Sequence, residues 1–347
     1  MTRIWRSRGV RRTVSILLAA LLALCATVGL GPAALAAPAR AHVVDEQRVR
    51  PRVVDLTIDS PALGKTAKVR LLTPDGWQRR GPRDRWPVLY LLHGIGDSHE
   101  TWTRDSDVER LAELRDVLVV MPEAGFAGYY TNWWNDGAYG PPAWETFHLT
   151  EMRRILERDY GAGKRRVVAG LSMGGYGALV YAARHPGLFR AVASYSGPVH
   201  LLHPEHVRRW REAFKEAPEY RGLWGDPVAQ RAIWKRHDPY ALARRLRPVP
   251  VFLSCGDGRP GPLDEAGAKA DEIEAFDNVL SRSLARRLER VGVRVTTDFY
   301  GRGTHSPAYW ERELHRSLPM LLSALRTPTA PTASDSSHPG GSSVWST

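Results

Sequence analysis

The stretch 170–179 reads Gly-Leu-Ser-Met-Gly-Gly-Tyr-Gly-Ala-Leu; it follows an apolar, strand-like run at 166–169 and opens a helix-like one. Gly170, Ser172 and Gly174 satisfy G-x-S-x-G, the pattern of a serine held where a strand turns sharply into a helix. A side chain at either glycine would collide as the chain folds back on itself. The turn lifts the Ser172 hydroxyl clear of the sheet and aims a helix N-terminus at it, so the Met173 amide becomes a donor for an oxyanion. Ser172 is therefore the candidate nucleophile. A glycine-rich turn with no chemistry is the plain alternative.

Both ends of the chain read differently from the middle. Arg3, Arg6, Arg8, Arg11 and Arg12 precede an apolar run at 14–30, and small residues follow at Ala34, Ala36 and Ala37. That is the layout of a secretory signal peptide over 1–36, with export to the extracellular side. Arg11-Arg12 raises a twin-arginine route, but the residues after the pair match that signal poorly. The run is short for a membrane span, which needs about 20 apolar residues. Leu24 stands before Cys25 where lipid attachment wants a small residue, so removal is expected. Cys255 is then the only cysteine left, and an internal disulfide is excluded. Residues 327–347 are rich in Pro, Thr, Ser and Gly with few apolar side chains, a composition that reads as a disordered tail.

Removing the five leader arginines from the formal charge of +12 leaves +7. The remaining arginines are scattered and form no stripe, which argues against a nucleic-acid partner and allows at most a loose attraction to an anionic cell envelope.

The segment 45–326 is long enough for one large core. Strand-like runs are expected at 53–58, 67–72, 88–92, 117–121, 166–169, 191–195, 249–254 and 293–300, with helices at 107–114, 144–160, 173–185, 271–290 and 309–325. Buried strands alternating with amphipathic helices imply a mostly parallel sheet covered on both faces. With a serine elbow at the end of a central strand, the expected class is α/β, in the α/β-hydrolase fold. Residues 198–247 break the rhythm and carry Trp210, Trp224 and Trp234 among many charges. This insertion before the acid-bearing strand reads as a lid or binding wall, or equally as a packed excursion.

The remaining parts of a serine hydrolase have expected places. His93-Gly94-Ile95-Gly96 follows the 88–92 strand, where this fold supplies a second oxyanion donor; Ile95 is the candidate, and His93 and Gly94 are expected at the substrate. His305, after the last strand and before the last helix, is placed to take the serine's proton. Order along the chain leaves the acid open among Asp257, Asp264 and Glu274. Trp133 and Trp134, in a glycine-rich loop, are candidate walls for a sugar-like acceptor or simply loop packing. His200, His203 and His206 fit no metal-ligand spacing, and the chemistry requires no metal or organic cofactor.

These motifs resemble the esterase-D-like superfamily, and in particular the secreted mycolyltransferases of the antigen 85 complex. The resemblance runs over about 53–325. Besides Gly-Leu-Ser-Met it rests on Val119-Val120-Met121-Pro122, Trp144-Glu145-Thr146-Phe147, Leu223-Trp224-Gly225, Asp238-Pro239, Cys255-Gly256-x-Gly258-x-Pro260, and Gly303-Thr304-His305-Ser306 with Tyr309-Trp310. It implies a glutamate on the helix after the Cys-Gly strand end, which falls on Glu274 in preference to Asp257. It also implies acyl-ester chemistry through an acyl-enzyme. The mycolyltransferases carry aspartate and arginine at the positions of His93 and Gly96, and tryptophan at Pro307. Those departures favour a serine carboxylesterase over transfer to trehalose. Acyl transfer to a sugar or glycerol hydroxyl is the alternative, and a non-catalytic role in binding envelope or matrix polymers is the alternative of another class.

Overall fold

The computed structural model describes residues 40–326. The expected leader and tail lie outside them. Nine strands form a single sheet: β1 (His42–Arg50), β2 (Val53–Ser60), β3 (Lys65–Leu72), β4 (Trp86–Leu92), β5 (Leu118–Pro122), β6 (Ala162–Leu171), β7 (Val192–Tyr195), β8 (Val251–Gly256) and β9 (Val295–Gly301). Their order is β1-β2-β3-β5-β4-β6-β7-β8-β9. The β1, β2, β3 and β5 pairings are antiparallel, and every pairing from β5 through β4 to β9 is parallel. This is the mostly parallel α/β-hydrolase sheet that the valine-rich runs predict.

Period-two alternation divides the core between the two faces. On β4, Val88, Tyr90 and Leu92 join one apolar cluster, while Leu89 and Leu91 join the other. Helix α1 (Met173–Arg184) covers the first face through Tyr176, Leu179 and Val180. Helix α2 (Pro204–Glu216) belongs to the insertion. Helix α3 (Glu272–Arg290) adds Leu284 and Leu288 to the first face, whereas α4 (Pro307–Arg326) covers the second with Trp310, Leu314, Leu318 and Leu321.

The chain runs from β4 outward to β5 and then returns to the far side of β4 as β6. The crevice beyond the carboxyl ends of β4 and β6 is thus a topological switch point, where ligands of open α/β sheets bind. Gly94 and Ile95 follow β4, and Ser172 follows β6.

Three expectations are corrected. Strand β1 begins before the expected boundary at residue 45; its sequence His-Val-Val-Asp-Glu-Gln-Arg-Val-Arg is polar and almost wholly exposed, so no burial pattern marks it. Backbone pairing to β2 alone defines it, as suits a charged edge strand. The expected helix at 107–114 is instead a short helix at Thr101–Asp105 and a single 3-10 turn at Ala112–Leu114. Val108, Leu111 and Leu114 are buried at a spacing of three, which isolated turns satisfy as well as a helix does. The expected helix at 144–160 is interrupted by a π-helical stretch, Phe147–Met152.

The insertion is a run of helices, α2 followed by Arg221–Trp224, Arg231–His237 and Pro239–Leu242. Trp224 and Trp234 are fully buried, and their rings meet edge to face at 5.1 Å. Trp210 packs against both, at 6.0 and 5.8 Å.

Candidate active site

Ser172 occupies the junction of β6 and α1 with φ 51° and ψ −121°. A non-glycine residue at positive φ is strained and persists only where its surroundings hold it. Here its N–H donates to the Tyr195 carbonyl on β7 at 2.8 Å, and its carbonyl accepts from Tyr176 N–H at 3.1 Å. The flanking glycines permit the fold-back. A Cβ on Gly170 would lie 2.3 Å from the Gly174 carbonyl oxygen, and one on Gly174 would lie 2.3 Å from that of Leu92. The turn after β4 also comes near: a Cβ on Gly94 would lie 3.4 Å from the Ser172 Cβ. The first amide of a helix lacks an intrahelical acceptor. Neither the Met173 nor the Ile95 N–H finds an acceptor among the described residues, so both remain open to a ligand.

Glu274, in the first turn of α3, is fully buried. Its Oε2 receives His305 Nδ1 at 2.8 Å. Its Oε1 accepts from the Gly256 N–H at 2.6 Å, the Ser196 hydroxyl at 2.9 Å, the Tyr300 hydroxyl at 3.2 Å and the Cys255 thiol at 3.3 Å. A carboxylate bonded on both oxygens cannot rotate, and because it only accepts, it holds the His305 proton on Nδ1 and leaves Nε2 free as a base. His305 is braced twice more. Its backbone N–H donates to Asp271 Oδ2 at 3.0 Å, and its ring meets Trp310 edge to face at 5.0 Å. Trp310 Nε1 in turn donates to Ser196 Oγ at 3.2 Å. Burial pulls the His305 imidazolium down, but the bond to Glu274 and the charges of Glu274 and Asp271 outweigh it, and its pKa is raised.

The direct contact is thus between Glu274 and His305. The Ser172 hydroxyl makes no hydrogen bond among the described residues; it lines a cavity of about 320 Å3 together with Ile95, Met173, Tyr129, Trp210 and Phe276. Catalytic hydrogen bonds are often long or misaligned until a ligand is bound.

Asp257 lies apart from this arrangement. Its carboxylate accepts from the backbone N–H and the guanidinium of Arg259, each at 3.0 Å, which lowers its pKa. Asp264 accepts from the Tyr309 hydroxyl at 2.9 Å and from Thr304.

The expected substrate contacts of His93, Trp133 and Trp134 are corrected. His93 is buried, its Nε2 accepting from Ala124 N–H at 2.9 Å and its Nδ1 lying 2.7 Å from the Gly94 carbonyl. It braces the loop after β4 from within. Trp133 donates to the Gly128 carbonyl at 3.3 Å and packs on Tyr220, while Trp134 lies against Gly225 of the insertion; neither lines the cavity. The walls come instead from α2, through His206, Arg209, Trp210 and Ala213.

Sequence reasoning missed Ser196, Tyr300 and Asp271. Only Asp271 had a local signal: it stands three residues before Glu274, the spacing of a capping box. It does cap α3, accepting from the Ile273 and Glu274 amides at 2.9 and 3.0 Å. Among the described residues, two carboxylate–histidine groups bring possible ligand atoms together, Asp55/His99/Glu100 and Asp107/Glu311/His315, and neither includes a residue of this site.

Comparison with known proteins agrees with this fold. The family model described as "Putative esterase" matches residues 60–321. Esterase Rv1288 of Mycobacterium tuberculosis is 37% identical over 266 residues, covering 73% of this chain and 55% of the relative. The chain therefore spans about half the length of that protein. Diacylglycerol acyltransferase/mycolyltransferase Ag85B of Mycolicibacterium smegmatis is 29% identical over 289 residues, covering 78% and 84% of the two chains. Among solved structures, Mycobacterium tuberculosis MPT51 (FbpC1) superimposes with a TM-score of 0.63 at 26% identity, covering 78% of this chain and 98% of that one.

Proposed function

The chain belongs to the Esterase family, and from that premise we propose that it is an exported serine carboxylesterase working through an acyl-enzyme on Ser172. The observation that carries the reading is the 2.8 Å bond from His305 to a Glu274 whose other oxygen is already filled. Ser172 Oγ attacks the ester carbonyl carbon as its proton passes to His305 Nε2. The oxyanion takes the Met173 and Ile95 N–H groups, and Glu274 steadies the imidazolium. Collapse expels the alcohol, which leaves with the proton from His305. Water then gives a proton to His305 as it attacks the acyl carbon; the acyl–Oγ bond breaks, His305 returns that proton to Ser172 Oγ, and the acid is released.

Covalent labelling of Ser172 by a fluorophosphonate, abolished in Ser172→Ala, tests the reading and separates it from a purely binding role. Export is tested by sequencing the N-terminus of protein recovered from culture medium. A start near residue 37 agrees with it, and an intact leader argues against it.

The Ag85B likeness supports a second reading, transfer of the acyl group to a sugar or glycerol hydroxyl. His93 has both ring nitrogens engaged inside the protein, and Gly96 has no side chain to offer a sugar. A polar acceptor is selected strongly only where its partners are present. With nitrophenyl butyrate and millimolar trehalose, free acid is the expected product. Acyl-trehalose in excess of free acid would establish the transferase instead.

A further inference from the structure

The cavity at Ser172, about 320 Å3, is at the small end for ligand pockets. Phe126, Tyr129, Trp210, Tyr220 and Phe276 give it ring-lined walls suited to a compact apolar group. Asp277 breaks the pattern. It is 5% exposed and lines the cavity, yet its carboxyl group forms no hydrogen bond with any described residue. Buried polar groups in folded proteins are nearly always paired, and one left open toward a pocket calls for a ligand atom. Glu274, one turn earlier on α3, has donors on both oxygens, whereas His206 on α2, which also lines the cavity, has a buried Nε2 without a partner among the described residues.

The charges acting on Asp277 come from Glu274 and Asp271 at the start of α3, His305 before α4, and Arg209 on α2. Burial, only partly offset by His305, pushes the carboxyl up to about 8. At neutral pH it mostly keeps its proton and offers one donor and one acceptor, the complement of a neutral hydroxyl rather than of a cation.

We propose that the cavity holds a ring-sized apolar group bearing a hydroxyl, and that Asp277 binds that hydroxyl and so selects hydroxylated esters. This rests on the esterase reading of Ser172. Either half of the ester can carry such a group, and the two are separable. The 4-nitrophenyl esters of 3-(4-hydroxyphenyl)propanoic acid and of 3-phenylpropanoic acid place it in the acid; 2-(4-hydroxyphenyl)ethyl acetate and 2-phenylethyl acetate place it in the alcohol.

In the wild-type chain, one pair is expected to favour the hydroxylated member by about tenfold or more in kcat/KM, because a site built to bond a hydroxyl rejects the analogue lacking it. Asp277→Leu brings that ratio close to one, and Asp277→Asn, which keeps a donor and an acceptor, restores most of it. The ratio is the readout, since any effect of the substitution on His305 falls on both members alike. Ratios near one in both wild-type pairs overturn the proposal even if neither variant folds, as does a preference that survives Asp277→Leu. A wild-type chain that neither turns over an ester nor takes the fluorophosphonate overturns the esterase reading, and the proposal with it.

Discussion

The carboxyl end of the sheet and the 198–247 insertion meet at one cavity but are held by different forces. Around Ser172, Glu274 and His305 the positions are set by directional bonds and by backbones too close for a side chain: Gly174 against Leu92, Glu274 against five donors. The insertion is held by rings. Trp210, Trp224 and Trp234 pack edge to face, and the surface they support is apolar. Hydrogen bonds fix angles, which proton transfer needs; ring packing fixes volume, which selection of a substrate needs. Damage to the first region should therefore appear in turnover, and damage to the second in affinity.

The largest effect that tests this contrast is loss of the nucleophile. Ser172→Ala and His305→Ala are each expected to lower turnover of nitrophenyl butyrate on the order of 10⁴-fold, with little added by the double change, since the pair acts as a unit. Substantial residual esterase activity in Ser172→Ala would move the chemistry elsewhere. Next, Glu274→Gln should fold and lose roughly 10³-fold in turnover, while Asp257→Asn stays near wild type; the reverse order would transfer the acid to Asp257.

Gly174→Ala sharpens the comparison in stability instead. Its Cβ would meet the Leu92 carbonyl, and a loss of about 3 kcal/mol or more is expected in urea unfolding. Tyr220→Ala, on the insertion side, should cost only about 1 kcal/mol of apolar contact with substrate. That would appear as about a fivefold rise in KM for a phenyl-bearing ester with kcat nearly kept. A fall in kcat alone would mean that the wall also positions the chemistry.

The smallest effect is on pH. His305 must be neutral to accept a proton, and its raised pKa keeps it charged to a higher pH. The acid limb of kcat/KM should thus lie above the ordinary histidine value of about 6.5. Removing the Glu274 charge in Glu274→Gln should move the limb to lower pH. A limb that stays in place would assign it to another group.

Local chemistry in the sequence was enough for strands β2 to β9, the serine elbow and the loop carrying His305. Valine-rich runs, glycines about one serine and a histidine between the last strand and helix are short-range signals, and the steric and apolar forces behind them act over a few residues. Strand β1 escaped because an edge strand paired on one side has no buried face to record in its residues. The choice of Glu274 over Asp257 could not be read from order alone, since it depends on which carboxylate the β8 and β9 ends enclose. His93 likewise looked like a ligand contact by position, and only the folded loop shows both nitrogens turned inward. Ser196 and Tyr300 meet Glu274 across 78 and 26 residues of chain. Nothing in the neighbours of Asp277 along the chain marks it as unpaired either. Whether a polar group is satisfied is decided by the elements packed around it, and that is settled only when the whole chain has folded.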